Sequence, residues 1–104
     1  MEITKDRLDA FCKLLEKQQI EQLVKDDLAC EANIIDRKVT TKPGKKYTKV
    51  DIGRSGAYMI VDETSKIFGI SAYGVIHRGH YYGTLDTIND YYWGNFGAYK
   101  IKTS

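Results

Sequence analysis

The stretch that most constrains this chain is Tyr73-Gly74-Val75-Ile76-His77-Arg78-Gly79-His80-Tyr81-Tyr82-Gly83-Thr84-Leu85-Asp86. Its three glycines argue against a regular helix and for bends or close backbone approaches. Val75 and Ile76 carry β character, so the stretch reads as a bent, glycine-punctuated strand system. A strand needs partners, and the remaining sequence must supply a sheet. Of the 104 residues, only this segment contains histidine. That length fits one domain, residues 1–104, with a helical front at about 4–31 and a β-rich body at about 33–102.

In the front, Thr4 is a good N-cap, with Asp6 and Asp9 in the first turn. Leu8, Phe11, Cys12 and Leu15 recur at helical spacing and form one apolar stripe. Ile20, Leu23, Val24 and Leu28 form a second stripe out of phase with the first. The step at Lys17-Gln18-Gln19 predicts either one bent helix or two joined helices. Cys12 and Cys30 have no CxxC spacing and read as free thiols.

The body reads as successive hairpins. Ile34, Ile35 and Val39 with Thr40 and Thr41 predict a first strand. Lys42-Pro43-Gly44-Lys45 is a turn, and Tyr47, Val50 and Ile52 a second strand. Ala57–Val61 and Ile67–Tyr73 form a second hairpin, entered through Gly53-Arg54-Ser55-Gly56. Thr84 and Asp86 can cap a short helical turn, and Phe96–Ile101 is a final strand. The expected fold is α+β, with one or two N-terminal helices packed on a curved antiparallel sheet of about five strands.

Charge is unevenly spread. Residues 1–36 hold five basic and nine acidic residues, a net of −4; residues 37–104 hold eleven and five, a net of +6. Arg37, Lys38, Lys42, Lys45, Lys46 and Lys49 occur with no acidic residue from 37 to 50. Such a hairpin can track phosphates or an acidic partner, and lysines also protect a strand edge from pairing with another chain. No apolar run approaches a membrane span, and the charged N-terminus lacks a signal-peptide core. A cytoplasmic protein that does not enter membranes is the expectation.

His77 and His80 are the residues most suited to chemistry. A metal site needs at least three good ligands; the histidines give two, Asp86 could supply a third, and the cysteines belong to another segment, so no metal and no cofactor are the expectation. As an acid–base pair with Arg78 they would resemble the inventory of a metal-independent ribonuclease. In a regular strand, however, positions 77 and 80 point to opposite faces, and only a bend at Gly79 brings them together. Recognition asks for less. Tyr73, Tyr81, Tyr82 and Trp93, with Arg54, His77, Arg78 and His80, have the composition of a binding surface, to which Lys42, Lys45 and Lys46 add charge. The competing role for the tyrosines and Trp93 is the core of a small sheet.

Tyr47-Thr48-Lys49-Val50, Ser55-Gly56-Ala57-Tyr58-Met59 and above all Tyr73–Asp86 resemble small proteins encoded by phages and mobile elements of gut bacteria. The resemblance covers residues 47–96, about half the chain, and assigns no residue a role. It implies an accessory protein that binds a host protein, a ribonucleoprotein complex or nucleic acid, in the manner of inhibitors of bacterial defence systems. Such a protein would work in the cytoplasm of the host bacterium. The composition and the resemblance together favour binding, with a ribonuclease using His77 and His80, or direct nucleic-acid binding, as alternatives.

Overall fold

The computed structural model describes residues 5–72, 74–94 and 98–101. The front forms one continuous helix, α1 (Lys5–Lys25). The two apolar stripes predicted a step at Gln18-Gln19, yet the buried residues Phe11, Leu15, Gln19 and Leu23 follow each other at four-residue intervals. Gln19 continues the stripe because its amide has a partner in the interior: Nε2 donates to the Trp93 carbonyl at 2.6 Å. Beside it, the Trp93 amide donates to Gln18 Oε1 at 2.7 Å. The apparent phase break is therefore where α1 grips the C-terminal segment. Thr4, the expected cap, lies outside the described residues.

After a turn in which Asp27 takes a positive φ of 57°, a short helix α2 (Glu31–Ile35) follows. This corrects the first-strand expectation for Ile34 and Ile35. The strand begins instead at Val39, which pairs with Ile52, the last residue of its neighbour. Residues before Val39 have no strand to extend against. Two contacts fix that limit: the Val39 amide donates to Glu16 Oε1 on α1 at 3.0 Å, and the Gly53 amide donates to the Lys38 carbonyl at 2.8 Å. Gly53 turns with a φ of 61°, and a Cβ there would overlap the Asp36 carbonyl.

Five strands, β1 (Val39–Pro43), β2 (Tyr47–Ile52), β3 (Ser55–Val61), β4 (Lys66–Ala72) and β5 (Val75–Thr84), form an antiparallel sheet in sequential order. Pro43 closes β1 at the sheet edge, where its missing N–H costs no ladder bond. A 3-10 turn (Ile88–Asp90) leads to a two-stranded ribbon of β6 (Tyr91–Tyr92) and β7 (Tyr99–Lys100). Thus the α+β architecture with one long helix on a five-stranded antiparallel sheet agrees with the sequence reading.

Alternation along the strands divides the sheet into two faces. Val50, Tyr58, Ile60 and Ile67 join Phe11 and Leu15 of α1, with Leu85, Ile88 and Trp93, in the core. Trp93 is 0% exposed. Its ring meets Phe11 edge-on at 4.8 Å and Tyr58 at 5.3 Å, and its Nε1 donates to the Ile88 carbonyl at 2.9 Å. A second tie crosses the molecule at Arg7. Its Nε and Nη2 donate to the two Asp86 oxygens at 3.0 and 2.9 Å, and Nη2 also reaches Ser65 Oγ at 2.8 Å. Arg7 thereby clamps α1 to the β3–β4 turn and to the chain leaving β5. Asp86 belongs to this clamp.

Candidate binding surface

The other face of the sheet is read directly from the register. Lys42 on β1 pairs with Lys49 on β2, Lys49 with Met59 on β3, Met59 with Phe68 on β4, and Phe68 with Tyr81 on β5. These five residues form one row across all five strands. Met59 and Phe68 are buried but stand outside the cluster beneath α1. The cover of Phe68 is polar and aromatic. The Arg78 guanidinium lies over the Phe68 ring at 5.8 Å, and the Tyr81 ring packs against Phe68 at 5.3 Å. Arg78 Nη2 donates to the Tyr47 hydroxyl at 3.2 Å, so it spans from β5 back to β2.

The reach of Arg78 comes from irregularity in β5. One step along β4, from Phe68 to Gly69, matches four steps along β5, from Tyr81 to His77. Arg78, Gly79 and His80 are therefore extra residues, accommodated as an enlarged bulge that bends the strand. Gly69 makes room for it: a Cβ at that position would lie 3.0 Å from the His80 Cβ and 3.3 Å from the Tyr82 ring. At the hairpin tip Gly74 takes a φ of 80°, and a Cβ there would lie 3.5 Å from Lys49 Nζ. The end of the β4–β5 hairpin thus approaches the open face.

The bulge also settles where the histidines go. Their rings stack at 4.1 Å with an interplanar angle of 19°. His77 is half-buried, and its Nδ1 is enclosed without a hydrogen-bond partner among the described residues. His77 pairs with Gly69, which pairs with Tyr58, so it belongs to the row on α1's side of the sheet. Arg78 is committed to the opposite face. The bend at Gly79 does unite His77 with His80, and the same bulge separates both from the arginine. Among the described residues no group of three or more His, Cys, Asp or Glu could hold a metal ion.

Of the remaining sequence candidates, Lys45 and Lys46 are exposed at the β1–β2 tip. Lys42 lies near Asp51, Nζ to Oδ2 3.9 Å. Arg54 is exposed in the β2–β3 turn, a strand's length of roughly 17–20 Å from that tip. Tyr81 is 48% exposed. Tyr82 packs on Tyr58 at 5.4 Å and Trp93 at 6.0 Å, and burial raises its phenol above the usual tyrosine pKa. Tyr82 and Trp93 are thus core aromatics, and Trp93 offers a partner no surface. Tyr73 lies outside the described residues. The structure brings Lys42, Arg78 and Tyr81 to one face, with Lys45 and Lys46 at its edge, and leaves Arg54 at the other end.

The sequence reading left out Tyr47 and Phe68, although with Lys49 of the basic hairpin they complete this face. For Tyr47 the signal was parity: Tyr47 and Lys49 alternate with the buried Thr48 and Val50. No protein-family model matches the chain, and no curated protein or solved structure matches it either. No helix of the described residues is long and apolar enough to cross a membrane.

Proposed function

We propose that this protein works by binding an anionic macromolecule, nucleic acid alone or within a host ribonucleoprotein complex, on the open face of its sheet. The observation that carries the reading is the row Lys42–Lys49–Met59–Phe68–Tyr81 with Arg78 laid across it. Lys45 and Lys46 extend the positive charge past the strand ends, where a phosphate chain can follow it. Tyr81 offers a ring on which an unpaired base can stack. The resemblance to accessory proteins of phages adds a setting in which such a contact is useful: obstruction of a host defence complex that handles nucleic acid.

The test is fluorescence anisotropy with single-stranded RNA and DNA oligonucleotides, in chelator, across a salt series. Five cations against one carboxylate, the Asp51 beside Lys42, predict a log–log salt slope of about −3 for a single strand. Replacing Lys45 and Lys46 by Glu should weaken binding by at least about tenfold, whereas Arg54→Glu should change it little. Absence of binding at low salt, or indifference to the Lys45/Lys46 change, would overturn the proposal.

A metal-independent ribonuclease has one observation in its favour, the stacked His77–His80 pair. Against it, Arg78, the cation that would hold the scissile phosphate, serves the opposite face. The same samples run on a denaturing gel decide the matter. Cleavage in chelator that disappears in His77→Ala would replace binding with catalysis.

A further inference from the structure

The acidic charge of the front is not spread along it. Residues 1–20 balance four basic against four acidic residues, so the whole net of −4 falls in residues 21–36: Glu21, Asp26, Asp27, Glu31 and Asp36 against Lys25. All of these are exposed. The same stretch carries the most apolar exposed surface of the front, with Val24 at 62%, Leu28 at 54% and Ile35 at 62% exposure. Between the end of α1 and the start of α2 lies an open depression of about 370 Å³, lined by Val24, Asp27, Leu28, Ala29, Cys30 and Asn33. Its floor is held in shape from within. The Leu28 amide donates to the Leu23 carbonyl at 2.8 Å, and Asn33 Nδ2 donates to the Leu28 carbonyl at 2.7 Å.

We infer that this corner docks a basic amphipathic segment of a partner protein. One or two apolar side chains of the segment enter the depression against Val24 and Leu28, as in helix-in-groove recognition. Its lysines and arginines face Asp26, Asp27 and Glu31. Charge decides between occupants. A second copy related by a two-fold axis would place two acidic stretches, each a net of −4 over residues 21–36, against each other, at a cost in like-charge repulsion. Nucleic acid and anionic lipid are repelled for the same reason. A basic segment gains from every rim carboxylate and buries the exposed aliphatic groups. This surface is distinct from the open sheet face, and either can fail without the other.

The probe is a labelled synthetic helix of about 15–18 residues with leucine on one face and lysine elsewhere. Two controls accompany it: the same leucine pattern with glutamate, and a lysine–leucine sequence scrambled to destroy the apolar face. The lysine amphipath should bind at least about tenfold more tightly than either control. Leu28→Asp and the double change Asp26→Lys/Glu31→Lys should each weaken it by about tenfold or more, with unchanged far-UV circular dichroism. Saturating peptide should also slow alkylation of Cys30 several-fold, because that thiol lines the depression. Equal affinity for the glutamate peptide, or binding indifferent to Leu28→Asp, would overturn the inference. A concentration-dependent dimer in light scattering that Leu28→Asp dissociates would also overturn it, by making a second copy the occupant.

Discussion

The two faces of the sheet are built from similar residues and end in opposite conditions. On one, Tyr58 and Trp93 are closed over by Phe11 and Leu15 of α1, and the polar atoms of Trp93 have partners on Gln18, Gln19 and Ile88. On the other, Met59 and Phe68 are also buried, but what lies over Phe68 is one arginine and one half-exposed tyrosine. A helix is held by many contacts and leaves only when the protein unfolds. A guanidinium held by one hydrogen bond and a cation–π contact can move aside at small cost. Aromatic content alone therefore does not separate the closed face from the open one; what covers the ring does.

The largest test of this contrast is Trp93→Ala. It removes a fully buried ring from a cluster with edge-on contacts to Phe11 and Tyr58, and should destabilise the protein by about 3–5 kcal/mol in urea titration followed by circular dichroism. Gln19→Leu should cost about 1–3 kcal/mol, because the Trp93 carbonyl loses its donor in a buried setting. Phe68→Ala, although it also removes a buried ring, should cost only about 1–2 kcal/mol, since Arg78 and Tyr81 can settle into the space. Equal losses for Trp93→Ala and Phe68→Ala would mean that both faces are core and would break the comparison.

The layout of the elements was largely legible in the sequence, the division between the faces was not, and the exceptions share a cause. Helical spacing marked α1, while turn residues and strand propensity marked the hairpins, because those signals are local. Ile34 and Ile35 read as strand by propensity, but a strand needs a neighbour, and β2 ends opposite Val39. Gln18 and Gln19 looked like a break in an apolar stripe, since their partners are backbone groups of Trp93, more than seventy residues away. Gly79 did signal a bend that unites the histidines. The bulge around it also carries Arg78 to the other face, and that depends on the register with β4, which local sequence does not encode. Asp86, weighed as a metal ligand, is held by Arg7 from the far end of the chain.

Titration offers an independent measure of the closed face. Burial raises the Cys12 thiol from 9.0 to about 11, with Asp9 and Glu16 adding to the effect. Burial and the neighbouring Tyr82 also raise the Tyr58 phenol, against a smaller lowering by a backbone hydrogen bond at Ala98. Both groups are acids whose folded pKa exceeds the unfolded value, so the stability they contribute is complete below the unfolded pKa. For Cys12 it is lost as pH rises from about 9 to about 11. Unfolding free energy should therefore fall across that window, and both Cys12→Ala and Tyr58→Phe should flatten the fall. An unchanged slope in both variants would mean that α1 does not seal this side as described. At pH 8 the same burial predicts alkylation of exposed Cys30 well ahead of Cys12, readable by mass spectrometry.

The smallest expected effect on stability is also the most telling for the open face. Arg78→Ala removes a hydrogen bond to Tyr47 and the cover over Phe68, both at the surface, and should cost no more than about 1 kcal/mol. Its effect on binding should be larger, because the guanidinium contributes a charge in the middle of the row rather than at its edge. Arg78→Lys separates the two contributions. Lysine keeps the charge but not the flat stacking surface, so it should restore most of the affinity for an anionic strand while leaving Phe68 less covered. If Arg78→Ala instead destabilises the protein as much as Trp93→Ala does, the arginine is a structural lid. The open face would then be a second core closed by a cation.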